Sequence, residues 1–132
     1  MKDIADIKNF NLHQSEEICI IDDSPIPMAI TKRVCQKMLP KVTVRTFITA
    51  DLAIVYLNKA RAKKRIIFLD LYMPKNNGWY FLEQYNPTRN EKIYILSSSK
   101  CNKDIYRAKK LPEVTDYIVK PLTFEVVMQL SV

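Results

Sequence analysis

Glycine is almost absent from this chain: Gly78 is the only one in 132 residues. Glycine-rich loops, which let main-chain N–H groups wrap the phosphates of a nucleotide, are thereby excluded. Histidine is as scarce. The single His13 lies in a polar N-terminal stretch, so neither a histidine-based triad nor a histidine metal cluster can be built. His13 reads better as a solvated side chain than as a phosphorylation site. Cys19, Cys35 and Cys101 are odd in number and far apart, which rules out a CxxC pair, a zinc knuckle and a disulfide framework. Cys19 sits in an apolar run and reads as core. No apolar run approaches the roughly 18 to 20 residues of a membrane span. The opening MKDIADIKNFNLHQSEE also lacks the apolar centre of a secretion signal. A cytoplasmic protein with no membrane attachment is expected.

What is present is enough for one domain, since 48% of the residues are hydrophobic and a chain of this length can bury a proper core. The formal charge is +7, unevenly spread. Residues 1–17 hold Lys2 and Lys8 against Asp3, Asp6, Glu16 and Glu17, so of 21 basic and 14 acidic residues 19 and 10 remain beyond them, or +9. Bases such as Arg61, Lys63, Lys64, Arg65, Lys109 and Lys110 fall mostly at predicted helix ends, where a cation favours the negative end of the dipole. With no aromatic-interleaved basic stripe and no recognition-helix motif, a solvated basic face explains them better than a nucleic-acid groove.

Short runs rich in β-branched and aromatic residues alternate with segments of helical period. The predicted strands are Ile18–Ile21, Val42–Phe47, Ile66–Leu69, Ile93–Leu96 and Tyr117–Val119. The first helix has Ser24 as N-cap and Pro25 at its first position, with Ile26, Ala29, Ile30, Val34 and Met38 on a helical spacing and Pro40 as its stop. Thr49 caps a second helix carrying Ala50, Ala53, Ile54 and Leu57 on one face. Three more are predicted from about Asn77 to Tyr85, Asn102 to Leu111, and Thr123 to the C-terminus. Strands alternating with helices imply a parallel sheet covered on both faces with right-handed crossovers, an α/β doubly wound (βα)5 architecture. Residues 1–17 form a polar extension, read as a frayed arm or a short helix packed on the sheet.

In a parallel sheet the strands' C-terminal ends meet along one edge. The first predicted strand ends in Asp22 and Asp23, the third in Asp70, the fourth in Ser97 and the fifth in Lys120. These groups converge in the crevice where open α/β sheets bind ligands. Taken singly, an Asp after a strand is commonly a turn former, Lys120 a surface lysine and Ser97–Ser99 a polar loop. Their joint placement at four strand ends is what raises the functional reading. Three acids in a half-buried site repel one another, and Lys120 alone does not balance them. A hard divalent cation, most naturally Mg2+, completes the charge while leaving room for a phosphoryl group. The apolar strand Ile66–Leu69 then serves to hold Asp70 rigidly as a nucleophile beside a metal.

The set IIDDSP, FLDLYMPKNNGW, ILSSS and DYIVKPL resembles the receiver domain of two-component response regulators over residues 18 to about 130. The resemblance implies a flavodoxin-like sheet of order 2-1-3-4-5 and a receiver domain over 18–132 following the extension. It further implies that Asp70 accepts a phosphoryl group from a phosphohistidine on a sensor histidine kinase or phosphotransfer protein. Asp22, Asp23, Asp70 and the main-chain carbonyl of Tyr72 would hold Mg2+. Lys120 would pair with a phosphoryl oxygen, with a cis bond to Pro121. Ser97, favoured over Ser98, would bond the phosphoryl group, and Tyr117 would swing between exposed and buried rotamers. Gly78 marks a place of positive φ or close approach. The stretch KKLPEVTDY departs from the family's usual Ala-Gly turn, so the fourth helix is expected to end differently.

Only 12 residues follow Lys120, so output is expected through a downstream protein partner, a homodimer face or phosphoryl relay. An aspartyl-phosphate phosphohydrolase is a second reading, but such enzymes usually carry another acid two residues after the nucleophile, where this chain has Tyr72. Self-phosphorylation and slow self-dephosphorylation are all that is expected. A basic nucleic-acid binder would show strong salt dependence. A degenerate receiver used as a scaffold is disfavoured because no acidic-site residue is missing.

Overall fold

A computed structural model describes residues 12–61 and 63–130. Five parallel strands, β1 (Glu17–Ile21), β2 (Thr43–Phe47), β3 (Arg65–Leu69), β4 (Glu91–Ser97) and β5 (Val114–Val119), form one sheet in the order β2-β1-β3-β4-β5. Helices α1 (Pro25–Met38), α2 (Ala50–Lys59), α3 (Gly78–Gln84), α4 (Asn102–Lys109) and α5 (Phe124–Leu130) connect and follow them. This is the flavodoxin-like order the resemblance implied. The central strands β1 and β3 are buried at every residue, as expected of strands covered on both faces.

Alternation along the strands sorts the core into two layers. Cys19, Ile21, Ile67, Leu69, Ile93 and Ile95 face α2, α3 and α4, packing on Ala53, Leu57, Phe81 and Ala108. Ile18, Ile20, Ile66, Phe68, Tyr94 and Leu96 face α1 and α5, packing on Val34, Cys35 and Val127. The Thr49 cap forms as expected, its side chain accepting the Leu52 N–H at 3.1 Å. The expected face of α1 forms only in part: Val34 is buried and Met38 packs against the same layer. Ile26 and Ile30 are exposed, and the packed stripe is Thr31, Val34 and Cys35. Thr31 can face the sheet because its hydroxyl donates to the Pro27 carbonyl at 3.0 Å, which satisfies its polar group inside the helix. An apolar-only pattern therefore places the stripe about one residue out of phase.

Four strands extend beyond their predicted bounds, and each gains at least one charged residue. Arg65, expected on a solvated basic face, is instead fully buried, as are Glu17 and Glu91, which pair with it across β1, β3 and β4. Arg65 donates through Nε to Glu17 at 2.7 Å and through Nη1 to Glu91 at 2.5 Å. Arg45 and the Tyr56 hydroxyl complete Glu17, and the Tyr85 hydroxyl and Thr88 N–H complete Glu91. Burial pushes the Glu17 carboxyl up, but hydrogen bonds from Tyr56, Arg45 and Arg65 outweigh it and bring it down to about 2. Of the expected 1–17 extension, residues 1–11 lie outside the described ones. The rest is not frayed: Leu12–Gln14 form a 3-10 turn that buries Leu12 in the α1/α5 layer, leaving His13 exposed.

The segment after α4 does end without a glycine. Lys110 caps it in a right-handed conformation, and the Val114 N–H closes a turn on the Leu111 carbonyl at 3.1 Å. Ile93 pairs with Val114 but Tyr94 pairs with Asp116, so Thr115 is a bulge in the outermost strand. The register is restored at Tyr117, opposite Ile95. Helix α4 itself buries only Ala108, and its Arg107 guanidinium lies 3.9 Å over the Trp79 ring.

Replacing Arg65 with methionine leaves two buried carboxylates without their shared cation, and a loss of about 3 to 5 kcal/mol in urea unfolding is expected. The same network sets acid sensitivity. The folded value of Glu17 lies below its ordinary 4.5, so its contribution is full above about pH 4.5 and is lost as pH falls toward 2. Stability of Glu17→Gln, followed by denaturation over that window, should be lower at neutral pH and flatter against acid.

Candidate functional site

The main-chain ladder runs one residue past three strand ends and fixes the backbone of the polar groups there. The Asp22 N–H donates to the Phe47 carbonyl and the Asp70 N–H to the Ile21 carbonyl, both at 3.0 Å, while the Lys120 N–H donates to the Ser97 carbonyl at 2.9 Å. Asp22 and Asp70 are 2% and 6% exposed and Asp23 is half-buried. Carboxylate oxygens of all three lie within 4.8 Å of one another. The Lys120 ammonium reaches into the group, 2.7 Å from Asp22 Oδ2 and 3.4 Å from Asp70 Oδ2. Asp22 Oδ1 also accepts the Ser24 N–H at 2.9 Å.

Electrostatics follow from this crowding. Burial pushes the Asp70 carboxyl above its ordinary value, Lys120 pulls it back, and the neighbouring Asp22 pushes it up again. Three carboxylates against one ammonium leave a deficit of positive charge in a partly desolvated place. An all-oxygen donor set with that deficit suits a hard divalent cation such as Mg2+ better than a soft metal.

A cavity of about 370 Å3 opens beside the acids, between Pro27, Ile30 and Thr31 of α1 and the group Asp70, Tyr72, Ser98, Lys120 and Pro121. The Lys120–Pro121 bond is cis, as the resemblance implied. Ser97, the favoured hydroxyl, is fully buried and its Oγ accepts the Ser99 N–H at 3.2 Å. Ser98 is the serine that lines the cavity. Tyr117 is half-buried, and its hydroxyl donates to the Ser99 carbonyl at 2.8 Å. Tyr72 stands half-exposed at the cavity wall, its N–H 3.4 Å from Asp70 Oδ1.

Gly78 resolves in favour of close approach, because its φ is not positive. A Cβ there would sit 2.5 Å from the Asp70 carbonyl oxygen and 2.8 Å from Leu71 Cα. Its N–H donates to the Leu71 carbonyl at 2.9 Å, so α3 begins directly against the backbone that carries Asp70. The left-handed residue of this loop is Asn76, at φ 47°, a conformation asparagine tolerates.

Sequence reasoning missed two residues at the site. The Tyr72 hydroxyl donates to Asp104 of α4, and Ser99 Oγ donates to the same Asp104 Oδ2 at 2.8 Å. Its own bond to Asp104 pushes the Tyr72 phenol up to about 12. Asp104 is the only acid in α4, which was the one available signal.

Comparison with known proteins shows the family and agrees with the fold. The chain belongs to the response regulator receiver domain family, whose model matches residues 18–131, and it is thus a receiver domain of two-component signalling. Over 112 residues it is 28% identical to a probable C4-dicarboxylate response regulator, DctR, of Halalkalibacterium halodurans. The match covers 82% of this chain and 46% of that protein, so the chain spans about half the length of its curated relative. A receiver protein of Dyadobacter fermentans superposes with a TM-score of 0.75 at 28% identity, over 86% of this chain and 93% of that one. A two-component response regulator of Cytophaga hutchinsonii does so with 0.78 at 25% identity, over 89% and 94%. Among the described residues no helix is long and apolar enough to cross a membrane.

Gly78→Ala must displace the strand end beneath Asp70. A destabilisation of about 1 to 3 kcal/mol in urea unfolding is expected, together with weaker Mg2+ binding measured by calorimetry.

Proposed function

We propose that this receiver is a phosphorylation-dependent signalling module in which Asp70 accepts a phosphoryl group from a phosphohistidine of a sensor histidine kinase or phosphotransfer protein. The observation that carries the reading is the contact of Lys120 with both Asp22 and Asp70 inside a cluster of three carboxylates. In the transfer an Asp70 oxygen forms the bond to phosphorus while the P–N bond breaks, its electron pair staying on the imidazole nitrogen. Asp22, Asp23 and Asp70, with the Tyr72 carbonyl, are the groups that would hold Mg2+. The ion would supply positive charge to the phosphoryl oxygens. Lys120 contributes a fixed cation from the other side, and burial of Asp70 keeps bulk water from competing for its carboxylate.

After transfer, a hydroxyl from the Ser97–Ser98 segment bonds the phosphoryl group. Movement of that segment unseats Tyr117 and changes the surface formed by α4, β5 and α5. Residues 18–132 act as the signalling unit in the cytoplasm, and a downstream protein, or a second copy of the chain, reads that surface. An altered balance of a few kcal/mol between two pre-existing states is enough for a switch, within reach of a few charge-assisted hydrogen bonds.

Incubation with Mg2+ and acetyl phosphate, followed by intact-mass measurement, should add one phosphoryl group to the wild type and none to Asp70→Asn. Equal labelling of both would move the acceptor elsewhere. Tyr72 forms a wall of the cavity beside Asp70, so Tyr72→Ala is expected to shorten the phosphoryl lifetime, followed as loss of the added mass. An unchanged lifetime would show that the ring does not hinder water.

A further inference from the structure

The hydrogen bonds around Asp104 reach into every part of the site that must move. Its Oδ2 accepts both the Tyr72 hydroxyl, from the loop after Asp70, and Ser99 Oγ, from the loop after β4. Ser99 is itself a junction. Its N–H donates to Ser97 Oγ at 3.2 Å, its carbonyl accepts the Tyr117 hydroxyl at 2.8 Å, and its Oγ accepts the Cys101 N–H at 3.2 Å. One carboxylate on α4 thus joins the acceptor loop, the serine segment and β5.

We propose that Asp104 is a positioning residue that latches the acceptor loop to the serine segment and so holds the unphosphorylated arrangement. The proposal rests on the reading of Asp70 as phosphoacceptor. Ser97 is fully buried with its oxygen engaged by the Ser99 amide. Turning a hydroxyl of the 97–98 segment toward a group on Asp70 shifts Ser99, and that shift works against the Ser99–Asp104 and Tyr117–Ser99 bonds together. The plainer role of an acid in a first helical turn is to favour the dipole. The two roles predict opposite results for a phosphoryl mimic: loss of a purely structural acid leaves binding unchanged or weaker, whereas loss of a latch strengthens it, because the competing state is no longer favoured.

The test is calorimetric titration with beryllofluoride and Mg2+ on the full chain. Asp104→Ala should bind about three- to tenfold more tightly than wild type, the scale of one or two partly exposed hydrogen bonds to a charged acceptor. Asp104→Asn keeps an acceptor oxygen and should fall between the two. Tyr72→Phe, which keeps the ring and removes one bond, should tighten binding less than Asp104→Ala and add nothing in the double variant. If Asp104→Ala does not fold, Tyr72→Phe and Ser99→Ala decide by the same direction. Unchanged or weaker binding in these variants, with wild type binding normally, overturns the latch alone. No Mg2+-dependent binding by the wild type overturns the reading of Asp70, and the latch with it.

Discussion

The site depends on an imbalance of charge held in place by main-chain hydrogen bonds. Asp22, Asp23 and Asp70 meet one ammonium, Lys120, at the C-terminal edge of the sheet. Left to themselves, like charges at that spacing would splay apart or take up protons. They remain together because Asp22, Asp70 and Lys120 each donate a backbone N–H to the neighbouring strand one residue beyond its end. Rigid backbone at the base leaves the side chains little freedom to relax the crowding, and the crowding is what makes the edge able to hold a cation.

The opposite edge of the same sheet shows how the chain treats charge when no ligand is wanted. Glu17, Arg65 and Glu91 are buried more deeply than any acid of the site, yet Arg45, Tyr56, Tyr85 and Thr88 meet the remaining oxygens. Every buried side-chain nitrogen or oxygen among the described residues has a partner. One end of the sheet is therefore closed electrostatically and the other is left open. The difference lies in the neighbours supplied by β2, α2 and the α3–β4 segment, and burial alone does not create it.

The parallel alternation and the convergence at the sheet edge were legible in the sequence, because short β-branched apolar runs and strand-end polar residues are local signals, whereas the strand order came only from the family resemblance. The Thr49 cap was legible too. What was not legible turned on polar residues that the fold satisfies internally. Arg65 and Glu17 look like surface charges until a partner 48 residues away is known. Thr31 looks outward-facing until its hydroxyl is seen bonded within α1. The choice between Ser97 and Ser98 depends on how the chain leaves β4, a matter of one residue of phase that composition does not encode. Asp104 was invisible for the same reason, since its partners lie in two other loops.

The bulge at Thr115 carries a consequence for how lineages of this fold can diverge. It takes up one surplus residue between α4 and Tyr117 on the outermost strand, where no further strand must follow the distortion. The connection can therefore gain or lose length while the tyrosine and the lysine beyond it keep their places. Drift in the α4–β5 connection is thereby uncoupled from the acidic edge of the sheet.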